Sequence, residues 1–409
     1  MQPHLSPPNR GGQGGLPMDN FRCGGFDRVG SDMPWVSLAF AFFFLLLFLY
    51  PYVIYPATLR WMKRRPVAAY RAQPRPTASL LFSAYNEEAS LPEKIRNLEE
   101  IRKVCPDVEF VAYSDMSSDR TREILESRSD LIRFVPSSER TGKATGMRHM
   151  VASCTSDICI YTDANVILDP ATVPVLLDYF RDSSIGGVSG TLKYINEDDG
   201  TTAQVGGLYW RLEEKIKKLE SECGSMMGAD GSIFATRRSI YPEVPAHLLD
   251  DMTVSMSVTF AGLRLISAPD VVAYEKNTTS SSDEFRRKRR IACRAFNTHK
   301  HLWPSISRSY SLADKYKYVS HKLLRWFGAP MLALSALCFG VALWQWGMSA
   351  LVLGGLGLLA GLWLLARRGI GGPIVTIYEV LTQVCATFMG IVDSWQGKTY
   401  QIWSPAKSR

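Results

Sequence analysis

Hydrophobic residues are concentrated at the two ends of the chain, and the region between them alternates short apolar runs with amphipathic stretches. No charged residue occurs from Trp35 to Tyr55 or from Trp326 to Ala366. About 20 apolar residues suffice to cross a hydrocarbon core of about 30 Å. The first stretch therefore predicts one membrane span, at 34–56, and the second predicts two, at 327–346 and 348–366.

The other terminal segments are less apolar. The stretch 373–392 contains Glu379, and a charge at membrane depth is unusual, so this stretch is either a third C-terminal span or a re-entrant segment. Glu379 itself is either a functional group or a simply hydrated one. Residues 301–326 are aromatic and basic without being apolar enough to cross, which predicts interfacial helices. Residues 1–33 and 393–409 are predicted to be tails, the first of them flexible.

The central region, 77–300, has the pattern of an α/β domain with a largely parallel sheet. Between the predicted strands, apolar residues at helical spacing predict amphipathic helices that each present one stripe to a sheet. Two such stripes are Leu91, Ile95, Leu98 and Ile101, and Leu208, Leu212, Ile216 and Leu219. The predicted strands are Thr77–Ser83, Val108–Ser114, Leu131–Val135 and Ile158–Thr162.

Composition and charge narrow the class of protein. A chain of 409 residues that is 46% hydrophobic is not a disordered polypeptide. The net charge of +8 does not indicate nucleic-acid binding, because the basic residues cluster beside the apolar spans. Those that follow the first span, from Arg60 to Arg75, place the central domain in the cytoplasm of a multi-pass protein of the inner or plasma membrane. The eight cysteines contain no CxxC pair, which argues against a zinc site and a disulfide framework.

Candidate chemistry lies at the ends of the predicted strands. Asn86, Glu87 and Glu88 follow the first strand, Asp115 to Thr121 follows the second, and Asp163 to Asn165 follows the fourth. Ligands of open α/β sheets bind beyond the carboxyl ends of strands, so these loops should meet in one crevice. Carboxylates there can bind a nucleotide or a divalent cation. No Walker loop or dinucleotide-binding glycine motif is present, which argues against kinases and dehydrogenases.

In order and spacing these loops resemble family-2 glycosyltransferases with the GT-A fold. The resemblance extends over residues 77–409 and is greatest for the membrane-anchored cellulose-, hyaluronan- and poly-N-acetylglucosamine-synthase-like group. It implies a nucleotide-diphospho-sugar transferase domain with N- and C-terminal transmembrane helices. It also implies a nucleotide-diphospho-sugar donor, a glycan or lipid-linked acceptor, the lipid bilayer and polysaccharide-export proteins as partners, and Mg²⁺ or Mn²⁺ as cofactor. Nucleic acid is not expected as a partner.

The resemblance also implies roles for particular residues. Asp251 matches the catalytic base and Asp250 precedes it, and Asp163 and Asn165 match the metal-binding triplet. Gly228 and Asp230 match the acceptor-side loop. The positions that match nucleotide-sugar-binding residues are Asn86, Glu87, Asp115, Ser117, Asp119, Lys143, Arg287 and Arg290. In the basic run Phe285–Arg290, we expect Arg286, Lys288 and Arg289 to face solvent or lipid.

The sequence departs from the family pattern at four positions. Asn165 replaces the second acid of the metal triplet, Arg148 replaces an Asn, Asp250 replaces a Glu, and Ile291 follows Arg290 where processive synthases have Trp. An amide oxygen at Asn165 can still bind a cation, although it offsets less of the charge. Without the Trp, the expected platform for a growing polymer end is absent.

These observations predict a membrane-bound inverting glycosyltransferase that uses a nucleotide-diphospho-sugar, UDP-linked, and acts on an exopolysaccharide or a lipid-linked glycan. Two alternatives stay open. One is a glycolipid-forming enzyme similar to glucosylceramide synthase, and the other is a membrane scaffold that binds sugar nucleotides without catalysis.

Overall fold

The structure is a computed structural model that describes residues 26–67, 73–196, 199–370 and 372–402. Side chains are described from Met33 onward. Most of the predicted N-terminal tail and the last seven residues of the C-terminal tail lie outside these ranges.

Eight strands form one mixed sheet with the order β3-β2-β1-β4-β7-β6-β8-β5. Strands β1, β2, β3 and β4 run parallel, β7 is antiparallel to β4 and β6, and β8 is parallel to β6. The strands are β1 Ala78–Ala84, β2 Glu109–Ser114, β3 Ile132–Val135, β4 Ile158–Asp163, β5 Ile167–Leu168, β6 Ile185–Tyr194, β7 Ile233–Arg237 and β8 Arg264–Glu275. Six of the eight strands thus run in the same direction, as the prediction of a largely parallel sheet requires, and β5 and β7 run in the opposite direction.

Fourteen helices are described. Those of the central domain lie on the two faces of the sheet. The helices are α1 Phe26–Leu49, α2 Ile54–Leu59, α3 Leu91–Val104, α4 Thr121–Glu126, α5 Lys143–Ser153, α6 Thr172–Tyr179, α7 Thr201–Glu222, α8 Asp250–Phe260, α9 Ser281–Ser309, α10 Leu312–Tyr318, α11 Leu324–Trp326, α12 Gly328–Gln345, α13 Ser349–Arg367 and α14 Gly372–Trp395. A π-helical turn, Val319–Leu323, joins α10 to α11.

The predicted strands and helices of the central domain form for the expected reason. All seven residues of β1 are buried, as in a central strand covered on both faces. In α3 the predicted apolar stripe, Leu91, Ile95, Leu98 and Ile101, is buried in the main core against β1 and β2. The helix is amphipathic at the period that the sequence indicates, and burial of one face stabilises it against the sheet.

The sheet brings the predicted loops together. Ser83 at the end of β1 pairs with Asp163 at the end of β4, and Ala84 pairs with Ser114 at the end of β2. Because parallel neighbours end at the same edge, the loops after these three strands are adjacent. The predicted crevice is therefore present.

Helix α7 does not pack as the sequence suggested. Leu208 is exposed, and Ile216, with Leu212 and Leu219 beside it, packs against Tyr55 and Leu59 of α2. The apolar stripe therefore contacts the segment that follows the N-terminal helix rather than the sheet. A helical period shows that one face is apolar, but it does not identify the element that covers it.

Three helices of the described part are long and apolar enough to cross a membrane, and they are α12, α13 and α14. Such helices indicate association with a membrane. The N-terminal stretch is a weaker candidate than predicted, since the apolar part of α1, Met33–Leu49, is shorter and the chain turns before Ile54. Helix α1 packs along α12.

Helix α9 crosses the predicted domain boundary at residue 300 and continues to Ser309. It packs along α14, and a Cβ atom at Gly390 would lie only 2.3 Å from the carbonyl oxygen of Arg289. The two backbones are therefore in direct contact, which only glycine permits here. Within the segment 301–326, Tyr318 and His321 are fully buried, so one side of these predicted interfacial helices packs against the protein.

Candidate active site

The loops after β1 and β2 are bound to each other. Asn86 has a φ of 54°, a left-handed conformation that Asn tolerates, and its Oδ1 atom accepts a hydrogen bond from the Ser118 amide at 2.8 Å. The Asn86 amide donates to the Ser117 hydroxyl, and the Glu88 amide donates to Asp119. Asn86, Ser117 and Asp119 therefore shape the crevice through loop contacts.

Glu87 and Asp115 are also engaged within the protein. Glu87 is buried, and its carboxylate accepts a hydrogen bond from Ser90. Asp115 is 3% exposed and accepts hydrogen bonds from the amides of Thr141 and Gly142, at 2.8 and 3.0 Å. Its carboxylate holds the loop that leads into α5. This loop places Lys143 at the first turn of that helix.

Lys143 lies among carboxylates. Its Nζ atom is 2.5 Å from Oδ1 of Asp163 and 3.8 Å from Oδ2 of Asp250. Burial opposes the charge on Lys143, but Asp163 and then Asp250 attract it and raise the pKa of the lysine above its ordinary value. Lys143 is therefore a fixed positive charge that joins the end of β4 to the start of α8.

Asp250 and Asp251 begin α8, and their side chains differ in surroundings. Asp250 is 6% exposed and faces Lys143, whereas Asp251 lines a cavity. Burial and then repulsion by Asp250 raise the pKa of Asp251 to about 7. A carboxylate with such a pKa can accept a proton near neutral pH.

Of the predicted metal-binding pair, Asp163 provides a partly exposed carboxylate. Its side chain is 34% exposed, and one of its oxygens is bound to Lys143. The amide nitrogen of Asn165 donates instead to Glu275 Oε1, at 3.0 Å. Glu275, at the end of β8, thus orients the Asn165 side chain. No cluster of three acidic, His or Cys side chains that could hold a metal occurs in the described ranges.

The predicted acceptor-side loop lies beside Asp251. Gly228 has a φ of 96°, and the Asp230 carboxylate is held by the buried Lys217 at 2.7 Å. A Cβ atom at Gly231 would lie 3.1 Å from Lys143 Nζ and 3.5 Å from Asp251 Oδ2. The loop therefore passes against the carboxylate cluster, and glycine at 231 leaves room there.

The basic run on α9 is more ordered than predicted. Arg286 is exposed as expected, but Arg289 forms a two-point ion pair with Asp393 of α14, which is 1% exposed. Lys288 lies over the ring of Tyr209 and 3.6 Å from Glu284. The expectation that Lys288 and Arg289 face solvent or lipid is therefore wrong, because both have partners on packed helices.

Arg287 and Arg290, the predicted diphosphate pair, lie one turn apart on α9. Arg287 is 3.3 Å from Glu284, which is buried. Burial opposes the charge of Arg287, but Glu284 raises its pKa above the ordinary value. Arg287 lines the same cavity as Asp251, and Arg290 is half-buried.

The chain that follows α14 reaches the loop before α5. A Cβ atom at Gly142, which has a φ of 87°, would lie 2.6 Å from the carbonyl oxygen of Gln401. Tyr400 and Lys398 both bind Asp393, which fixes this segment to the end of α14. The C-terminal segment therefore contacts the loop that positions Lys143.

A cavity of about 620 Å³ extends from Asp251 toward the apolar helices. Its wall near the sheet includes Asp230, Asp251 and Arg287, and its far wall belongs to α1 and α14. The residues of the far wall are Phe48, Leu49, Thr376, Val380, Gln383, Val384 and Thr387. The cavity therefore joins the carboxylate cluster to helices that could cross a membrane.

Known glycosyltransferases are similar to this chain in sequence and in fold. Residues 79–244 match the model of the family "Glycosyl transferase family 2". This part of the chain is a glycosyltransferase family 2 domain. The match covers the strand-end loops and the cluster around Lys143, and it ends shortly before Asp250. The enzyme class predicted from the sequence is confirmed.

A relative and a solved structure are similar over larger parts of the glycosyltransferase. The probable glycosyltransferase YdaM of Bacillus subtilis is 22% identical over 240 residues, which are 53% of this chain and 54% of that protein. The chain thus spans about half the length of this curated relative. The mannosyltransferase PcManGT of Pyrobaculum calidifontis, in complex with GDP-Man and Mn²⁺, has a TM-score of 0.67 and 20% identity over 88% of this chain and 99% of its own.

The likeness to PcManGT confirms the GT-A-type fold that the sequence predicted. A second solved structure, glucosyl-3-phosphoglycerate synthase of Mycobacterium tuberculosis in complex with phosphoglyceric acid, is similar over a smaller part. It has a TM-score of 0.41 and 18% identity over 60% of this chain and 85% of its own.

Several residues at the site were missed in the sequence. Glu275 could have been predicted from the sequence, because it ends a strand as Asp163 does. The rule that ligands bind beyond the carboxyl ends of strands applies to both residues. Lys217 and Lys322 gave no signal, since a lysine on an amphipathic helix is most often solvated. Their positions depend on how α7 and the π-helical turn pack.

Proposed function

We propose that this glycosyltransferase is an inverting enzyme that moves a sugar from a nucleotide-diphospho-sugar, UDP-linked, to an acceptor at the membrane. One observation carries the proposal. Asp251 lies between the Lys143 and Asp163 pair at the strand ends and a cavity that opens toward the apolar helices. A donor and a membrane acceptor can therefore approach the same carboxylate from opposite sides.

The donor occupies the crevice at the carboxyl ends of β1, β2 and β4. The loops that carry Asn86, Glu87, Asp115, Ser117 and Asp119 form its wall, and their mutual hydrogen bonds keep it preorganised. Preorganised polar groups stabilise developing charge without reorganising during the reaction. Lys143 lies where it can contact the donor diphosphate, and Arg287 and Arg290 add positive charge from α9.

The site suits a divalent cation, Mg²⁺ or Mn²⁺. Asp163 offers a partly exposed carboxylate, and Asn165 keeps an amide oxygen after its nitrogen is bound to Glu275. Such cations are commonly held by one or two carboxylates together with substrate phosphates, so a larger protein cluster is not required. Bound there, the cation supplies positive charge that offsets the charge of the leaving diphosphate.

Asp251 acts as the general base. Its carboxylate takes the proton of an acceptor hydroxyl, and the hydroxyl oxygen forms a bond to the anomeric carbon on the face opposite the diphosphate. The bond between that carbon and the diphosphate oxygen breaks, and the electron pair leaves with the nucleotide diphosphate. One displacement at one carbon inverts its configuration. The negative charge of Asp250 raises the basicity of Asp251, and the positive charge of Lys143 lowers it.

The resemblance to cellulose-, hyaluronan- and poly-N-acetylglucosamine-synthase-like enzymes supports a carbohydrate acceptor, an exopolysaccharide or a lipid-linked glycan, with export proteins as partners. Ile291 bears on this choice because it lines the cavity where processive synthases have Trp. An aliphatic side chain offers no stacking platform for a sugar ring. The replacement favours a single transfer over repeated extension.

The membrane arrangement follows the same reasoning. Helices α12 and α13 cross the inner or plasma membrane, and the catalytic domain lies in the cytoplasm, where nucleotide-sugars are made. Helix α14 is a third span or a re-entrant segment. The ion pair of Asp393, near its end, with Arg289 of α9 favours the re-entrant arrangement, because a full crossing would carry that end away from the catalytic domain. Basic residues beside the spans, such as Arg64, Arg65, Arg367 and Arg368, agree with this orientation.

The test is an assay of the purified full-length protein, in nanodiscs, against a panel of radiolabelled UDP-sugars with GDP-mannose included. We expect release of one nucleotide diphosphate and transfer of label, both dependent on Mg²⁺ or Mn²⁺. The product should have the anomeric configuration opposite to that of the donor. Release of nucleotide by wild type and by Asp251→Asn at equal rates would contradict the assignment of the base.

A further inference from the structure

The cavity beside Asp251 has two kinds of wall. Phe48, Leu49, Val380 and Val384 make its far side apolar, and these residues belong to α1 and α14. Its near side is charged, with residues of α7, of α9 and of the π-helical turn. A molecule that satisfies both walls has an apolar chain and a polar head, because neither part alone is complementary to the whole cavity.

The charged wall carries more cations than carboxylates to pair with them. Lys322 and Arg325 share one carboxylate, that of Glu213, at 3.6 and 2.5 Å. Glu213 also accepts a hydrogen bond from His321, at 2.8 Å. On α9 the same pattern recurs, since Arg287 and Lys288 share Glu284. Both groups line the cavity, so the wall favours an anionic ligand.

Unsatisfied donors mark the same cavity. The Nε and Nη2 atoms of Arg325 find no hydrogen-bond partner among the described residues, although its side chain is only 9% exposed. The Gln383 amide nitrogen on α14 is likewise without a partner there, and Gln383 is 8% exposed. Buried polar groups are normally hydrogen-bonded, so each such donor requires an explanation. A ligand with acceptor oxygens would supply it.

The cationic group is close to the proposed base. Lys322 lies on a π-helical turn, a rare conformation that is frequent at functional sites. A Cβ atom at Gly228 would lie 4.0 Å from Lys322 Cε, and the loop continues to Gly231, where a Cβ atom would lie 3.5 Å from Asp251 Oδ2. A headgroup bound by Lys322 therefore has the acceptor-side loop and Asp251 as its neighbours.

We infer that the sugar acceptor is an anionic, phosphate-bearing membrane lipid. Its phosphate binds Lys322 and Arg325, its chain lies between α1 and α14, and its hydroxyl faces Asp251. This inference rests on the proposed function and chooses a lipid over a polysaccharide chain. A volume of about 620 Å³ suits a headgroup with the first part of its chain.

The experiment uses full-length enzyme in nanodiscs of two compositions, phosphatidylcholine alone and phosphatidylcholine mixed with phosphatidylglycerol. A radiolabelled donor is added, and label is measured in the organic phase and in the aqueous phase, with nucleotide release in parallel. Phosphatidylglycerol provides both a phosphate and free hydroxyls. We expect organic-phase label only in the discs that contain it.

Two pairs of variants locate the site. Lys322→Met should raise the KM for phosphatidylglycerol about tenfold, the usual effect of one lost hydrogen bond to a charged group, with the KM for donor unchanged. Arg286→Met, which removes an exposed cation of α9, is its control. Val384→Trp should block the apolar wall and abolish lipid labelling. Leu381→Trp, at an exposed position of α14 outside the cavity, should not.

The outcomes separate the two proposals. Label found only in aqueous products would overturn the lipid site. So would lipid labelling that is the same with and without phosphatidylglycerol and is unchanged in Lys322→Met. Either result leaves the transferase proposal standing. Absence of nucleotide release in every arm, with every sugar donor of the panel, contradicts the proposed function itself. Lipid labelling that is lost in Val384→Trp and kept in Leu381→Trp supports the site even where Lys322→Met fails to fold.

Discussion

Lys143 Nζ lies 2.5 Å from Asp163 Oδ1 and 3.8 Å from Asp250 Oδ2, so one ammonium group joins the end of β4 to the first residue of α8. Asp163 belongs to the predicted metal position and Asp250 to the predicted base motif. The lysine therefore couples the electrostatics of the two. A change in either carboxylate alters the field at the other, because the charges share a poorly solvated environment.

Asp163 should be indispensable for transfer. We expect Asp163→Ala to abolish activity, because it removes the only carboxylate of its triplet. Asn165→Asp should retain activity and tighten Mn²⁺ binding, since it adds a charge to the site. The measurement is the Mn²⁺ dependence of transfer for both variants, with the exposed Asp270→Asn as control. If Asp163→Ala is as active as the wild type in saturating Mn²⁺, Asp163 is not part of the metal site.

Asp251 and Asp250 should differ in their effect on chemistry. Asp251→Asn is expected to lower the transfer rate by roughly 10² to 10⁴, the usual range for loss of a general base. Donor affinity should change little, because the amide keeps the volume and the donor loops lie elsewhere. Asp250→Asn should lower the transfer rate by a smaller factor. The initial transfer rate and the nucleotide affinity are measured for both variants. If Asp250→Asn is inactive and Asp251→Asn is active, the general base is Asp250.

The pH dependence of kcat/KM should report the raised pKa of Asp251. Burial and Asp250 raise this pKa to about 7, and a base works only when deprotonated. Activity should therefore fall about tenfold per pH unit below about 7 and level off above it. Lys143→Met should move the midpoint upward, because the positive charge of Lys143 lowers the pKa of Asp251. A wild-type midpoint near that of an ordinary carboxylate, about 4, would exclude Asp251.

The orientation in the membrane can be tested with single cysteines in a cysteine-free background. Lys103→Cys lies at an exposed position in the last turn of α3 in the catalytic domain, and Ser349→Cys lies at the start of α13, next to the loop that follows α12. In intact cells an impermeant thiol reagent should label position 349 and spare position 103, as a cytoplasmic domain requires. After permeabilisation both should react. Labelling of position 103 alone in intact cells would invert the topology.

The ion pair of Arg289 with Asp393 should stabilise the contact of α9 with α14. Arg289→Ala leaves the Asp393 carboxylate, which is 1% exposed, with Lys398 and Tyr400 as its remaining partners among the described residues. We expect the free energy of unfolding to fall by about 2 kcal/mol. Thermal unfolding in detergent measures it. Arg286→Ala, an exposed pair on the same helix, should change little. Asp393→Asn in the Arg289→Ala background should recover part of the loss.

The sequence was most informative where one physical rule decides the outcome. Buried parallel strands require continuous apolar runs, so β1, β2, β3 and β4 were predicted to within a residue or two. Their carboxyl ends share an edge of the sheet, which is why the sequence alone predicts that Asn86, Asp115 and Asp163 lie together.

Predictions from the sequence failed where tertiary contacts decide which partner a residue or an apolar face has. The apolar face of α7 was visible, but its partner, Tyr55 in α2, lies far away in the sequence. Arg289 and Arg286 are the same residue type on the same helix. Arg289 is bound within the protein because Asp393 of α14 lies beside it, whereas Arg286 is exposed to solvent. Glu379 was left undecided, and it is buried at 5% exposure, so it is not simply hydrated.

The direct contact of Gly390 with the backbone of α9 bears on how this enzyme can be divided. Ala292 and Phe296 of α9 pack against Trp326, Phe327 and Ile391, which lie in or beside the apolar helices. A fragment cut before residue 326 would expose this surface to water and leave the charge of Arg289 unmatched. The catalytic domain is therefore not a soluble module on a tether, and the last apolar helix is part of its hydrophobic core.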